Sequence, residues 1–303
     1  MAFPDDSGSL FEHTIGEPVE TSGVGLHSGV PVRLRMLPSA AGRGVVFVRT
    51  DLRGFQIRAS WRHVAKVAYA TSLMRQGVLL STTEHLLSVL RALGVDNVRI
   101  EVDNLEIPIL DGSALPFAEL IRRAGVRRQR RRRRYMSVRK RIEVAEDGKS
   151  ISIEPSDAFR IACETLYPHP LVGRQRLDMT ITPRLYLDEI AAARTFGFER
   201  DLDAMRDMGL IRGASLENAV CFGNGRVLNE EGLRFADEPC RHKLLDLIGD
   251  LALLGLPVVG RVVATRAGHA MHVALVDRIM KDPESFRIMT LDQIESSRSA
   301  SLA

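Results

Sequence analysis

Cysteine is scarce: Cys163, Cys221 and Cys240 are the only three in a chain of 303 residues. They form no CxxC pair and no disulfide framework. That excludes a disulfide-stapled secreted scaffold and fits a reducing cytoplasm. Long apolar runs are missing as well. The nearest approach, Leu251 to Val263, is interrupted by Gly255, Pro257, Gly260 and Arg261, so no membrane-spanning helix is expected. The N-terminal MAFPDDSGSLFEH is acidic and has no apolar h-region, which argues against a signal peptide. What is present is ordinary for a folded chain. Hydrophobic residues make up 45% and charged residues 26%, and the length suits two domains. A cytoplasmic protein, peripheral to a membrane at most, is expected.

Net charge is only +4, but it is unevenly placed. RRAGVRRQRRRRR, Arg122 to Arg134, is intensely basic. Such a run repels itself and reads first as a mobile linker. Attraction to an anionic membrane surface is a second reading. Nucleic acid ranks last, because no aromatic residue interleaves with the arginines to stack on bases.

The run divides the chain. Before it, VRLRM (Val32 to Met36), VVFVR (Val45 to Arg49) and NVRIEV (Asn97 to Val102) alternate as strands do. Helices are expected from about Ser81 to Leu93, closed by Gly94, and from Pro116 to Gly125. After it, Ile142 to Val144, Ile151 to Pro155 and Phe159 to Thr165 read as strands. Val258 to His269 reads as a strand and loop, and AMHVALVDRIM as a closing helix. Strands followed by helices in each half predict an α+β chain of two layered sandwiches. The expected boundaries are a first domain over 1–126, a basic linker over 127–134, a second domain over 135–285 and a polar tail over 286–303.

RHKLLDLIGDL, Arg241 to Leu251, is a leucine-rich helix carrying four polar side chains. At ~100° per residue, His242, Lys243, Asp246 and Asp250 share roughly a third of its circumference. A solvated amphipathic face is one reading; a metal site built on His242 and Asp246 is the other. STTEHLLSVLRALG, Ser81 to Gly94, poses a similar choice. Ser81 and Glu84 match a capping box. Alternatively His85 is a third ligand and Glu84 a general base beside it. Two imidazoles and a carboxylate suit Zn²⁺ with an open position for water. Iron(II) suits the same donors. Thr195, in ARTFGFER, has a hydroxyl that could donate to an oxyanion, or it is an ordinary strand threonine. His269, in AGHA, is a candidate general acid or a surface histidine.

GVGLHSG (Gly23 to Gly29), STTEHLL, EIPILDGSA (Glu106 to Ala114), ARTFGF, LNEEGLRF (Leu228 to Phe235), RHKLLDLIGDL and AGHA follow one another in this order. Together they resemble the UDP-3-O-acyl-N-acetylglucosamine deacetylases, the zinc amidases of lipid A synthesis in Gram-negative bacteria. The likeness runs from about Thr14 to Met280. It implies two similar α+β domains with an active site between them and hydrolysis of an acetamide on an acylated UDP-N-acetylglucosamine. It implies that His85, His242 and Asp246 hold zinc, with Glu84 as base and His269 as acid. Asp250 then orients His269, and Thr195 polarises the carbonyl. Lys243, Phe196 and Phe198 match substrate-contacting positions, and Lys140 a nucleotide-side lysine. An insert at about 198–217 is expected to form an acyl channel walled by Leu202, Met205, Ile211, Ala214 and Leu216. Val67 to Leu80 matches loosely, with Thr71 and Ser72 best placed. A cytoplasmic monomer, touching the anionic inner membrane transiently and binding no nucleic acid, is the corresponding expectation. The alternative is an arginine-rich membrane- or nucleic-acid-binding protein with a degenerate site.

Overall fold

The structure, a computed structural model, describes residues 8–65 and 69–302. The acidic stretch through Ser7, Val67 and the final Ala303 lie outside the described residues. The described residues form a mixed α/β protein with several sheets and seven helices. These are α1 (Glu84–Ala92), α2 (Leu115–Ala124), α3 (Pro183–Leu185), α4 (Leu202–Asp207), α5 (Glu238–Leu251), α6 (His269–Lys281) and α7 (Leu291–Leu302). Among the described residues, no helix is long and apolar enough to cross a membrane.

A five-stranded sheet runs in the order Val19–Val24, Pro31–Pro38, Val98–Val102, Val45–Arg49, Phe55–Arg58. Its second strand shows why it forms. Val32, Leu34 and Met36 are buried while Arg33 and Arg35 point to solvent, the period of two that a half-covered sheet requires. A seven-stranded sheet is drawn wholly from residues after the arginine run. Its longest path is Ile142–Glu146, Lys149–Glu154, Val258–Thr265, Tyr135–Val138 and Phe286–Met289. Phe159–Tyr167 joins Val258–Thr265 in parallel and pairs in turn with Gly173–Thr180. One continuous apolar core joins the two halves, from Ile15 through Leu86 and Leu244 to Ile279. Helix α1 packs directly on α5, and α5 on α6 and on Phe159–Tyr167. That stacking brings residues ~160 positions apart in sequence into one place.

The structure departs here from what was expected of the arginine run and of α6. The arginine run is not a free linker: Val126–Arg132 is a strand antiparallel to Phe11–Ile15. Phe11 lies under Arg128 and Arg132, at 4.5 and 5.2 Å from its ring centre, and Glu12 faces Arg131 at 3.2 Å. Guanidinium groups set over an aromatic ring and carboxylates from elsewhere offset the repulsion that suggested disorder. The chain after α6 carries regular structure as well. Phe286–Met289 is an antiparallel edge strand on Tyr135–Val138, and α7 follows it with Ile294 buried. Accordingly α6 does not close the fold.

Candidate active site

Helices α1 and α5 build the site because they approach unusually closely. Gly249 on α5 sits against the backbone of Glu84 at the start of α1, where a Cβ would overlap the Glu84 carbonyl. The expected capping box is not formed. Thr83 takes the cap position without a side-chain bond, and Ser81 Oγ instead meets Ser72 Oγ at 2.9 Å. The Glu84 carboxylate is left free to point into the protein. There it accepts the Thr71 backbone N–H at 3.1 Å.

The polar third of α5 is buried, not solvated. His242, Asp246 and Asp250 are at most 2% exposed, and His85 and Glu84 on α1 are 4% and 3% exposed. The imidazoles of His85 and His242 stand edge to face, 4.9 Å between centres. Asp246 Oδ1 lies 3.3 Å from His242 Nε2 and 3.6 Å from His85 Nε2. It is enclosed and has no hydrogen-bond partner among the described residues. His242 Nδ1 lies 3.1 Å from the Ala193 carbonyl. A proton donated there leaves Nε2 as a lone pair facing Asp246. Three converging donors, with a buried carboxylate oxygen lacking a partner, fit a cation.

Two other trios are close enough to hold an ion, Asp250–His269–His272 and Glu84–Asp246–His269. The first is already satisfied internally. Asp250 accepts the Thr71 hydroxyl at 2.5 Å, and His269 Nδ1 and His272 Nδ1 each lie 2.8 Å from its Oδ2. With Nδ1 engaged, His269 presents only Nε2, 3.6 Å from Asp246 and 3.9 Å from Glu84. It is the first residue of α6 and is buried, so the surface-histidine reading fails.

Electrostatics separate the roles. Burial pushes the imidazole of His85 down, with His242 assisting, to about 3, and lowers His242 as well. Neutral imidazoles are what a metal needs. Burial works against charge on Asp246, yet His242, Lys243 and His269 hold its carboxyl well below the ordinary range. Burial also opposes charge on His269, but Asp250 and Asp246 outweigh it and raise the imidazole to about 9. Glu84 behaves oppositely: burial, reinforced by Asp246 and Asp250 against His269, raises it to about 8. A cation placed among these donors counteracts that rise.

A cavity of about 1050 Å³ opens onto this cluster. Its wall includes Lys243, Thr195, Phe196, Phe198 and His269. Leu202, Met205, Ile211, Ala214 and Leu216 line it too. Lys243 Nζ donates to Asp246 Oδ2 at 2.8 Å and lies 5.8 Å from the Phe196 ring centre. Lys140 is not there. It is half-exposed and paired with Asp282 at 2.9 Å, away from the cavity wall, so its expected substrate role is not supported.

Sequence reasoning missed several members. His272 shares Asp250 with His269. His27 lines the cavity with both ring nitrogens unpartnered. Arg194 is 1% exposed; its backbone N–H and Nε both donate to Glu238 Oε1 at 2.9 Å, tying the ARTFGF segment to the first turn of α5. The adjacency of Arg194 to Thr195 was a signal for this. Nothing in the sequence pointed to Glu238.

Known proteins resemble this chain over most of its length. A family model described as UDP-3-O-acyl N-acetylglycosamine deacetylase matches residues 12–281. The UDP-3-O-acyl-N-acetylglucosamine deacetylase of Solibacter usitatus (strain Ellin6076) is 65% identical over 286 residues, 94% of this chain and 97% of that protein. Proteins of the same description from Myxococcus xanthus (strain DK1622) and Phenylobacterium zucineum (strain HLK1) are each 44% identical. They cover 93% of this chain and 90% and 97% of their own lengths.

Proposed function

The chain belongs to the UDP-3-O-acyl N-acetylglycosamine deacetylase family, and from that premise we propose that the buried cluster on α1, α5 and α6 is where it acts. It is a deacetylase: it removes the N-acetyl group from UDP-3-O-acyl-N-acetylglucosamine, releasing acetate, in lipid A biosynthesis. The observation that carries the site is the unpartnered Asp246 Oδ1 between the imidazoles of His85 and His242, with Glu84 and His269 beside it.

His85, His242 and Asp246 would hold the metal, and zinc is the ion we assign, although iron(II) suits the donors. Bound there, such an ion acidifies water and polarises an amide carbonyl. Glu84 takes the proton from the attacking water, its carboxylate steadied by the Thr71 N–H. Thr195, on the cavity wall, offers its hydroxyl to the developing oxyanion. An amide nitrogen leaves poorly as an anion. His269 Nε2 carries the proton that it needs, and Asp250 keeps that imidazole charged and aimed. Lys243, Phe196 and Phe198 contact the substrate. Leu202, Met205, Ile211, Ala214 and Leu216 wall the path of its acyl chain.

We read the chain as two similar α+β domains, each a layered sheet-and-helix sandwich, the first over 1–126 and the second over 135–285, with the site between them. The enzyme works as a cytoplasmic monomer. Its exposed arginines give transient contact with anionic membrane.

The test is metal content and acetate release on an acylated UDP-N-acetylglucosamine, for the parent and for His242→Ala. One bound metal and turnover, both lost in the variant, is the expected result. Metal bound equally by the variant sinks the ligand assignment.

A further inference from the structure

A second cavity, of about 370 Å³, lies behind the catalytic helices. It falls at the lower end of the roughly 300–1,000 Å³ of small-molecule sites. Phe159, Ile181, Ile248 and Ile294 give it apolar walls, and Arg91 and Arg133 stand among them. Ile248 is about 200° round α5 from Asp246, so this cavity faces away from the deacetylase site.

The two guanidinium groups differ. Arg133 Nε donates to Asp96 Oδ1 at 2.9 Å. Arg91 lacks such a bond. Its Nε is enclosed and has no hydrogen-bond partner among the described residues, and one terminal nitrogen makes a long 3.5 Å contact to the Ala252 carbonyl. A guanidinium has five N–H donors, and leaving them unmade inside a protein is costly. Asp157 and Glu295 also line the cavity, but both are exposed and so are screened by water. The place therefore combines a partly buried guanidinium whose Nε has no partner with apolar walls. Burial, followed by repulsion from Arg133, lowers Arg91 only to about 10, which leaves it charged at neutral pH.

We propose that this second cavity binds a small amphipathic monoanion, an alkyl carboxylate whose headgroup pairs with Arg91 and whose chain lies along Phe159, Ile181, Ile248 and Ile294. A carboxylate offers Arg91 two parallel acceptors, the strongest pairing available to it. The chain supplies apolar area that the headgroup alone lacks.

The experiment is calorimetric titration of the full chain with sodium octanoate, with acetate and 1-octanol as partial ligands. Two variants are titrated alongside: Arg91→Gln, and Ala158→Trp, which fills the cavity from its wall. Octanoate is expected to bind about tenfold or more tightly than either partial ligand, and to lose about tenfold or more in both variants. Absence of binding to the parent overturns the proposal. So does binding undiminished in either folded variant, because the molecule then occupies the larger cavity. If Arg91→Gln does not fold, Ala158→Trp decides alone.

Discussion

The deacetylase cluster and the arginine strand are both dense in charge, and they use it in opposite ways. In the cluster, three carboxylates and four imidazoles are buried, and hydrogen bonds account for Asp250 completely. On Val126–Arg132 and the residues after it, most side chains face water. Arg131 and Arg132 find carboxylates at 3.2 and 3.3 Å, while Arg127, Arg130 and Arg134 make no ion pair among the described residues. Away from water, a shift of a few tenths of an ångström or one missing proton changes an interaction greatly. In water the same charges are screened over ~8–10 Å and contribute little. Residues of equal formal charge should therefore differ in effect by orders of magnitude.

The largest effect is expected at Glu84. Glu84→Gln preserves shape and removes the base, so turnover should fall about 10²–10⁴-fold. Metal content, read by elemental analysis, should not change, because Glu84 lies outside the trio of donors. A variant that loses its metal would move Glu84 into the ligand set and dissolve the division of labour argued above.

Next comes the contact that holds the cluster together. Gly249→Ala puts a methyl group against the Glu84 carbonyl, and α1 and α5 must separate to admit it. Overpacking of this kind costs about 1–3 kcal/mol, seen as a lower melting temperature. Displacing Glu84 by even about 1 Å should cost a further 10²-fold in turnover. Normal activity in a destabilised Gly249→Ala protein would show that the approach of the helices supports the fold alone.

The same contrast explains what could be read in advance. Helices α1 and α5 were legible because leucine spacing and a clustered polar arc are local properties. That Glu84, His85, His242 and Asp246 are chemically capable residues was legible for the same reason. Their meeting was not, since it depends on Gly249 and on α1 packing against α5, contacts with no sequence period. The family resemblance, not spacing, joined them. The arginine run was misread because self-repulsion is also local, whereas Phe11, Glu12, Asp96 and Asp292, which hold it, come from distant segments. Lys140 shows the same limit: a lysine in a basic stretch carries no local mark of its partners, and in the structure it pairs with Asp282. Arg194 and Glu238 escaped notice because a buried ion pair looks, in sequence, like two surface residues.

The smallest effect is expected where charge is densest to the eye. Replacing Arg127, Arg130 and Arg134 together by glutamine should change stability by no more than about 0.5 kcal/mol per site, since exposed groups without ion pairs lose nothing but solvation. Turnover on substrate dispersed without membranes should equal that of the parent. Retention on anionic phospholipid vesicles at low salt should fall, because each arginine near such a surface contributes about 1 kcal/mol. The membrane reading of these arginines fails if the triple variant sediments with vesicles as the parent does. It fails equally if the parent's binding survives high salt, since attraction through an exposed strand must be screened. A triple variant with unchanged turnover and weakened vesicle binding separates the two charged regions by function: one works because water is excluded, the other because it is not.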